Sequence, residues 1–160
     1  MVKKDQKQSL TVTILQTGLL VGTLDLLAAM MSQYVKTGLF AEKMLLYIAG
    51  GFLGLEKSMA GGYEVEMLGL FFHYFIATSF TVLFFLLYPR WKILSRNVYL
   101  IGMLYSAFVS LFMRLCVLPL TQLPSLPFIL SRAFTDWMIL GLALGIPISF
   151  FASQFYKENK

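Results

Sequence analysis

The sequence predicts an all-α membrane protein, a four-transmembrane-helix bundle with a short interfacial or re-entrant helix between spans 1 and 2. Of its 160 residues, 58% are hydrophobic and 13% are charged, and the mean hydropathy is +0.75. Soluble domains carry about 25% charged residues. Four apolar runs are long enough to cross a bilayer, which takes about 20 residues. We therefore interpret residues 1–160 as a single integral membrane domain.

Span one, predicted over residues 10–34, carries Asp25 near its middle. A carboxylate at mid-membrane costs roughly 2.5–3.5 kcal/mol on insertion scales, so Asp25 should face protein or water rather than lipid. Gly18 and Gly22 lie one helical turn apart, a spacing that lets a neighbouring helix approach closely but that also arises by chance. Asp25 follows Gly22 by three residues and shares nearly the same face. The apolar run is too long for a signal peptide and lacks its cleavage motif, so we expect it to be retained.

A short helix is predicted over residues 41–57, where the apolar run is too brief to span a bilayer. Apolar side chains recur there at helical spacing, at Leu45, Ile48, Phe52 and Leu55. Charged residues flank this run, a pattern typical of an interfacial or re-entrant helix. Gly50, Gly51 and Gly54 would each weaken a helix in water by about 1 kcal/mol. Here they favour a bend or close packing.

The remaining spans are predicted over residues 65–88, 98–118 and 128–155. Basic residues cluster at the N-terminus, between spans two and three, and at the C-terminus, as Lys3, Lys4, Lys7, Arg90, Lys92, Arg96, Lys157 and Lys160. The loop after span three has no basic residue. Because positive charge favours the cytoplasmic side, both termini are predicted to be cytoplasmic. The net charge of +5 thus reflects topology, and we expect no nucleic-acid partner.

Ionisable residues within the spans form the most specific pattern in the chain. At a helical rise of 1.5 Å per residue, five of them fall roughly 6–14 Å from the outer ends of their spans. They are Asp25, His73, Arg114, Arg132 and Asp136. Arg132 and Asp136 are four residues apart and so share a helix face. All five are predicted to lie in the outer half of the bilayer.

Two interpretations of these charges remain open. In the first, they line a site that binds or translocates a small solute, an ion or protons. Histidine ordinarily changes charge between pH 5 and 8, and carboxylates and histidines in membranes often mark proton relays. In the second, the charges only fix helix packing in a non-catalytic accessory subunit of a membrane complex. The Gly18/Gly22 and Gly141/Gly145 faces could then also serve a second copy or a membrane partner.

Enzymatic functions are disfavoured by the same residues. His73 and Cys116 stand alone in their types, so the sequence offers no zinc ligand set. His73 could be one axial haem ligand, but no second ligand or attachment motif is present. The serines lack a G-x-S-x-G context, and Asp25 with Asp136 matches no protease motif. We therefore expect no catalytic activity, no cofactor and no metal.

Five short motifs are spread along most of the chain: Gly22-Thr23-Leu24-Asp25, Ile48-Ala49-Gly50-Gly51-Phe52-Leu53-Gly54, Leu68-Gly69-Leu70 with His73, Leu118-Pro119-Leu120 and Gly145-Ile146-Pro147-Ile148. Together they resemble a family of small bacterial inner-membrane proteins without an assigned activity. The resemblance implies four spans and a bacterial cytoplasmic membrane. Members often carry a histidine near the position of Asp136, so this chain departs from the family there, which puts a single role for Asp136 in doubt.

Overall fold

The computed structural model describes residues 9–38, 43–124 and 129–159. Their architecture is an all-α bundle of four long helical segments plus a short apolar helix, as the sequence predicts. The α-helices are α1 Leu10–Thr37, α2 Met44–Leu53, α3 Leu55–Met59, α4 Tyr63–Leu87, α5 Val98–Phe112, α6 Leu130–Leu140 and α7 Ile146–Glu158. 3₁₀ turns occur at Lys92–Ser95 and Leu118–Leu120, and π turns at Met113–Val117 and Gly141–Gly145.

Four segments of the described chain are long and apolar enough to cross a membrane, which makes this a multi-pass membrane protein. They are Leu10–Val35, Tyr63–Leu87, Val98–Leu120 and Leu130–Glu158. Each agrees with a predicted span to within a few residues. The N-terminal lysines, residues 41 and 42 of the predicted short helix, and residue 128 of the predicted fourth span lie outside the described residues, as does Lys160.

Glycines set the distance between α1 and α4. A Cβ atom added at Gly18 would lie 2.9 Å from the Thr78 Oγ1 atom, and one at Gly22 would lie 2.8 Å from the Tyr74 ring. Real Cβ atoms do not tolerate such distances, so the two helices meet at these glycines. The predicted role of this small-residue face in close approach is confirmed.

The second small-residue face, at Gly141 and Gly145, packs against α5. A Cβ atom at Gly141 would collide with the Met103 side chain, and one at Gly145 with the Gly102 backbone. A Cβ atom at Gly102 would in turn lie 2.6 Å from the Ile146 Cα atom. Both small-residue faces are therefore occupied by packing within the chain.

Spans three and four are interrupted by π turns, although the sequence pattern predicts continuous helices. Each π turn ends two residues before a proline: Met113–Val117 before Pro119, and Gly141–Gly145 before Pro147. Proline has no N–H to donate, and its ring clashes with the carbonyl four residues earlier. A wider turn accommodates both effects. The two prolines thus explain where the α-helical hydrogen bonding changes.

The predicted short helix is two helices, α2 and α3, which meet at Gly54. The φ angle of Gly54 is +84°, a conformation that side-chain-bearing residues rarely adopt. The last turn of α2 is capped by Gln122 from the loop after span three. The Gln122 backbone N–H donates to the Gly51 carbonyl at 3.0 Å, and its side-chain amide donates to the Phe52 carbonyl at 2.5 Å. Two carbonyls that a helix end leaves without partners are thereby satisfied.

Gly69 is where α4 passes closest to α2, and we expect a Gly69→Ala substitution to destabilise the fold by about 1–3 kcal/mol. The added Cβ would press on the backbone of Leu45, which cannot rotate away. This outweighs the roughly 0.5–1 kcal/mol that alanine ordinarily gains over glycine in a helix. A thermal unfolding curve in detergent measures the effect.

Gly62→Ala is the matched control, since nothing lies within 4 Å of the Cβ position there. We expect its unfolding temperature to fall less than that of Gly69→Ala, because this change loses only the preference of an N-cap for glycine over alanine. Equal unfolding temperatures for Gly69→Ala and Gly62→Ala would contradict the close α2–α4 contact.

Candidate functional site

Asp25 on α1 and His73 on α4 come together where these helices pack on each other. Both side chains are half-buried, and the two groups are close enough to interact electrostatically. Gly22 explains how they meet, because a larger residue there would push α4 away. The sequence predicts similar heights for Asp25 and His73 in the bundle, and their proximity agrees with this prediction.

His73 is held in one orientation by the backbone of α1. Its Nε2 atom lies 2.7 Å from the Gly22 carbonyl oxygen. A carbonyl can only accept, so Nε2 carries the hydrogen and donates it. Nδ1 is therefore the ring nitrogen at which His73 can gain or release a proton. The edge-on contact with the Tyr74 ring, at a centroid distance of 5.6 Å, also restricts the imidazole.

Thr23 and Tyr74 add two hydroxyl groups beside this pair. The Thr23 hydroxyl donates to the Leu19 carbonyl at 2.8 Å, and its oxygen lies 2.8 Å from the Tyr74 hydroxyl. Because Thr23 has one hydroxyl hydrogen and Leu19 accepts it, Tyr74 is the donor to Thr23. The Tyr74 oxygen keeps lone pairs with which it can accept a further hydrogen bond. Both hydroxyls belong to the candidate site.

The sequence pattern did not single out Thr23 or Tyr74. Each lies within two residues of Asp25 or His73, and that adjacency was the only signal. Helical residues one apart point about 100° apart and residues two apart about 200° apart, so adjacency in sequence does not by itself place Thr23 or Tyr74 at the contact between α1 and α4. Whether Thr23 and Tyr74 meet depends on how α1 and α4 are rotated about their axes, and in the structure they do meet.

The other three predicted site residues lie on the second half of the chain. Arg114 is half-buried and belongs to the π turn of span three, while Arg132 and Asp136 are exposed on α6. Among the five predicted residues, Asp25 and His73 lie close enough to interact electrostatically. A shared site that also includes Arg114, Arg132 and Asp136 stays a prediction.

This arrangement suits the exchange of a proton or the binding of a small hydrogen-bonding or cationic species. A carboxylate and an imidazole can each accept a proton, and low polarity around them strengthens their mutual interaction. The Tyr74 hydroxyl offers a further acceptor at the same place. The site therefore combines two ionisable groups, Asp25 and His73, with the two hydroxyls of Thr23 and Tyr74.

A double-mutant cycle on Thr23→Ala and Tyr74→Phe should give a coupling free energy of about 0.6 kcal/mol, typical of hydrogen bonds between membrane helices. Each single substitution removes the same bond, so the double variant should lose less stability than the sum of the two. Unfolding in detergent, monitored by intrinsic fluorescence, provides the four stabilities. A cycle on Ser79→Ala and Tyr74→Phe is the control, because Ser79 bonds only to the Phe75 carbonyl of its own helix. Equal coupling in both cycles would contradict the Thr23–Tyr74 bond.

No protein-family model, curated protein or solved structure matches this chain. The resemblance to small bacterial inner-membrane proteins therefore stays a hypothesis. What can be concluded about function depends on the geometry of the site itself.

Proposed function

We propose that this small polytopic membrane protein binds or translocates protons, or a small ion or solute, at a polar site in the outer half of the bilayer. The observation that carries the proposal is the pairing of Asp25 with His73 between two membrane-spanning helices. Ionisable side chains at this depth are costly and are retained mainly at functional or paired sites. Thr23 and Tyr74 contribute hydroxyls to the same site.

Protons are the species that the chemistry favours most. The Gly22 carbonyl occupies Nε2 of His73 and leaves Nδ1 for exchange. The nearby Asp25 carboxylate can take up or supply the proton. A small solute is the second species, since the Tyr74 hydroxyl can accept a hydrogen bond from it. Arg114, Arg132 and Asp136 would complete the charge balance around the bound species.

The proposed membrane is the bacterial cytoplasmic membrane, with both termini in the cytoplasm. Support comes from Arg90, Lys92 and Arg96, which lie in the loop between spans two and three. The loop between spans three and four has no basic residue over 118–127. This distribution follows the positive-inside rule. The Asp25–His73 pair then lies nearer to the outer face.

A non-catalytic accessory subunit is the second candidate. It is favoured by the exposure of Arg132 and Asp136 on α6, since charges in a membrane-spanning segment usually face protein or water. A protein partner against α6 would cover them. In this case the Asp25–His73 pair would serve only the packing of α1 on α4. We propose no catalytic activity and no cofactor in either case.

Water access to the site can be tested with a cysteine at Asp25. Asp25→Cys in a Cys116→Ser background should react with a membrane-impermeant thiol reagent added from the outer face, because the proposed site opens to that side. Val21→Cys, one turn earlier on the same helix and fully buried, should stay unlabelled. Glu64→Cys, at the start of α4 and exposed, should be labelled and reports on orientation. Resistance of Asp25→Cys from both faces, with Glu64→Cys labelled, would favour the accessory-subunit alternative.

Proton passage can be tested in vesicles that contain a pH-sensitive dye. Wild-type protein should dissipate an imposed pH gradient faster than protein-free vesicles, and Asp25→Asn should reduce the rate to that of protein-free vesicles. The amide keeps the size of the carboxyl group but does not ionise near neutral pH. Glu64→Gln removes an exposed carboxylate and should leave the rate unchanged. Equal rates for wild type and Asp25→Asn would contradict a role of this pair in proton movement.

A further inference from the structure

We propose that the loop between α4 and α5, together with the end of α7, binds the phosphate headgroup of an anionic phospholipid. This inference does not depend on the function proposed for Asp25 and His73. It concerns the opposite end of the bundle, where the C-terminal ends of α4 and α7 and the N-terminal end of α5 meet.

The loop carries three exposed cations, Arg90, Lys92 and Arg96, within seven residues. The sequence has no acidic residue between Glu66 and Asp136, so the loop supplies no carboxylate to neutralise them. On α7 the neighbouring charged groups are Lys157 and Glu158, both exposed, which offset each other. The loop therefore keeps a net positive charge that an anion can satisfy.

Arg90 is already oriented by the protein. Its Nη1 atom donates to the Leu86 carbonyl in the last turn of α4. The guanidinium has five N–H donors in all, so several remain for the oxygens of a phosphate. Arg90 also lies close enough to Tyr156 of α7 to interact with it electrostatically. Arg90 thus contacts the end of α4 and lies near the end of α7.

Stacked tyrosines fix that junction. Tyr156 packs against Tyr88 at a centroid distance of 5.2 Å and an interplanar angle of 8°. The Tyr156 hydroxyl donates to the Phe85 carbonyl at 2.8 Å, which ties α7 to α4. Arg90 therefore projects from a rigid support, and less side-chain freedom is lost when an anion binds.

The N-terminal end of α5 adds to the positive potential. The Asn97 side chain accepts from the N–H groups of Tyr99 and Leu100, at 3.0 and 3.1 Å, and so fixes the helix start at the loop. The positive end of a helix dipole favours a nearby anion. Arg96 immediately precedes the cap, so a phosphate between Arg90 and Arg96 would also lie near this helix end.

Exposed apolar groups beside the cations distinguish a lipid from a soluble phosphate. Trp91 and Ile93 are each 57% exposed, and Tyr99 is 71% exposed. Tryptophan and tyrosine prefer the boundary between water and lipid. The loop therefore presents cations for a headgroup and apolar surface for acyl chains within the same ten residues.

Retention of lipid by the full-length protein tests the proposal. Native mass spectrometry of the wild type should show tighter binding of phosphatidylglycerol than of phosphatidylcholine. The double variant R90Q/R96Q should bind phosphatidylglycerol about thirtyfold more weakly, with phosphatidylcholine binding unchanged. The control K43Q/K57Q removes the same charge from exposed lysines elsewhere and should bind as the wild type does.

Three results of the lipid-binding measurements would overturn the proposal, and a fourth comes from competition with inorganic phosphate. They are equal binding of the two lipids by the wild type, undiminished phosphatidylglycerol binding by R90Q/R96Q, and an equal loss in K43Q/K57Q. Displacement of the lipid by inorganic phosphate at matched headgroup concentration would indicate a soluble anion instead, and would also overturn it. The measurement on the wild type decides the matter even if R90Q/R96Q fails to fold.

Discussion

The close approach of α1 to α4 at Gly18 and Gly22 is the constraint on which the candidate site depends. At Gly22 there is no room for a Cβ atom beside the Tyr74 ring. Only at that separation can the His73 imidazole reach the backbone carbonyl of the facing helix. The same contact brings the Tyr74 hydroxyl to Thr23. A glycine spacing that usually serves helix packing thus also orients the groups that carry the proposed chemistry.

Polar side chains elsewhere in the bundle find partners in the same way, by donating to backbone carbonyls of another segment. The pairs are Tyr105 with Phe80, Trp137 with Met103, Tyr156 with Phe85, and Gln122 with Phe52. A carbonyl within a helix keeps a second lone pair after its helical hydrogen bond. In an apolar surrounding this lone pair is an acceptor that every helix provides. At these four places the segments are joined by polar contacts that need no second polar side chain, unlike the contact between Thr23 and Tyr74.

Hydropathy and length were sufficient to predict the four spans and the short apolar helix, because the bilayer imposes both quantities. The fixed helical rise also predicts a similar height for Asp25 and His73, and these two residues do interact. Depth gives only the height of a residue, and the direction in which it points depends on how each helix is rotated. For that reason Thr23 and Tyr74 were missed, and the exposure of Arg132 and Asp136 on α6 could not be foreseen. The π turns could not be predicted either, because hydrophobic periodicity does not show how the helix accommodates Pro119 and Pro147.

The cap that Gln122 places on α2 has a mechanical consequence. Two bonds from one residue, through its backbone and its side chain, attach the end of α2 to the loop after span three. Swinging α2 outward would break both bonds at once and leave two carbonyls without their protein partners. We therefore expect α2 to stay attached to the loop after span three and not to open and close over the end of the bundle.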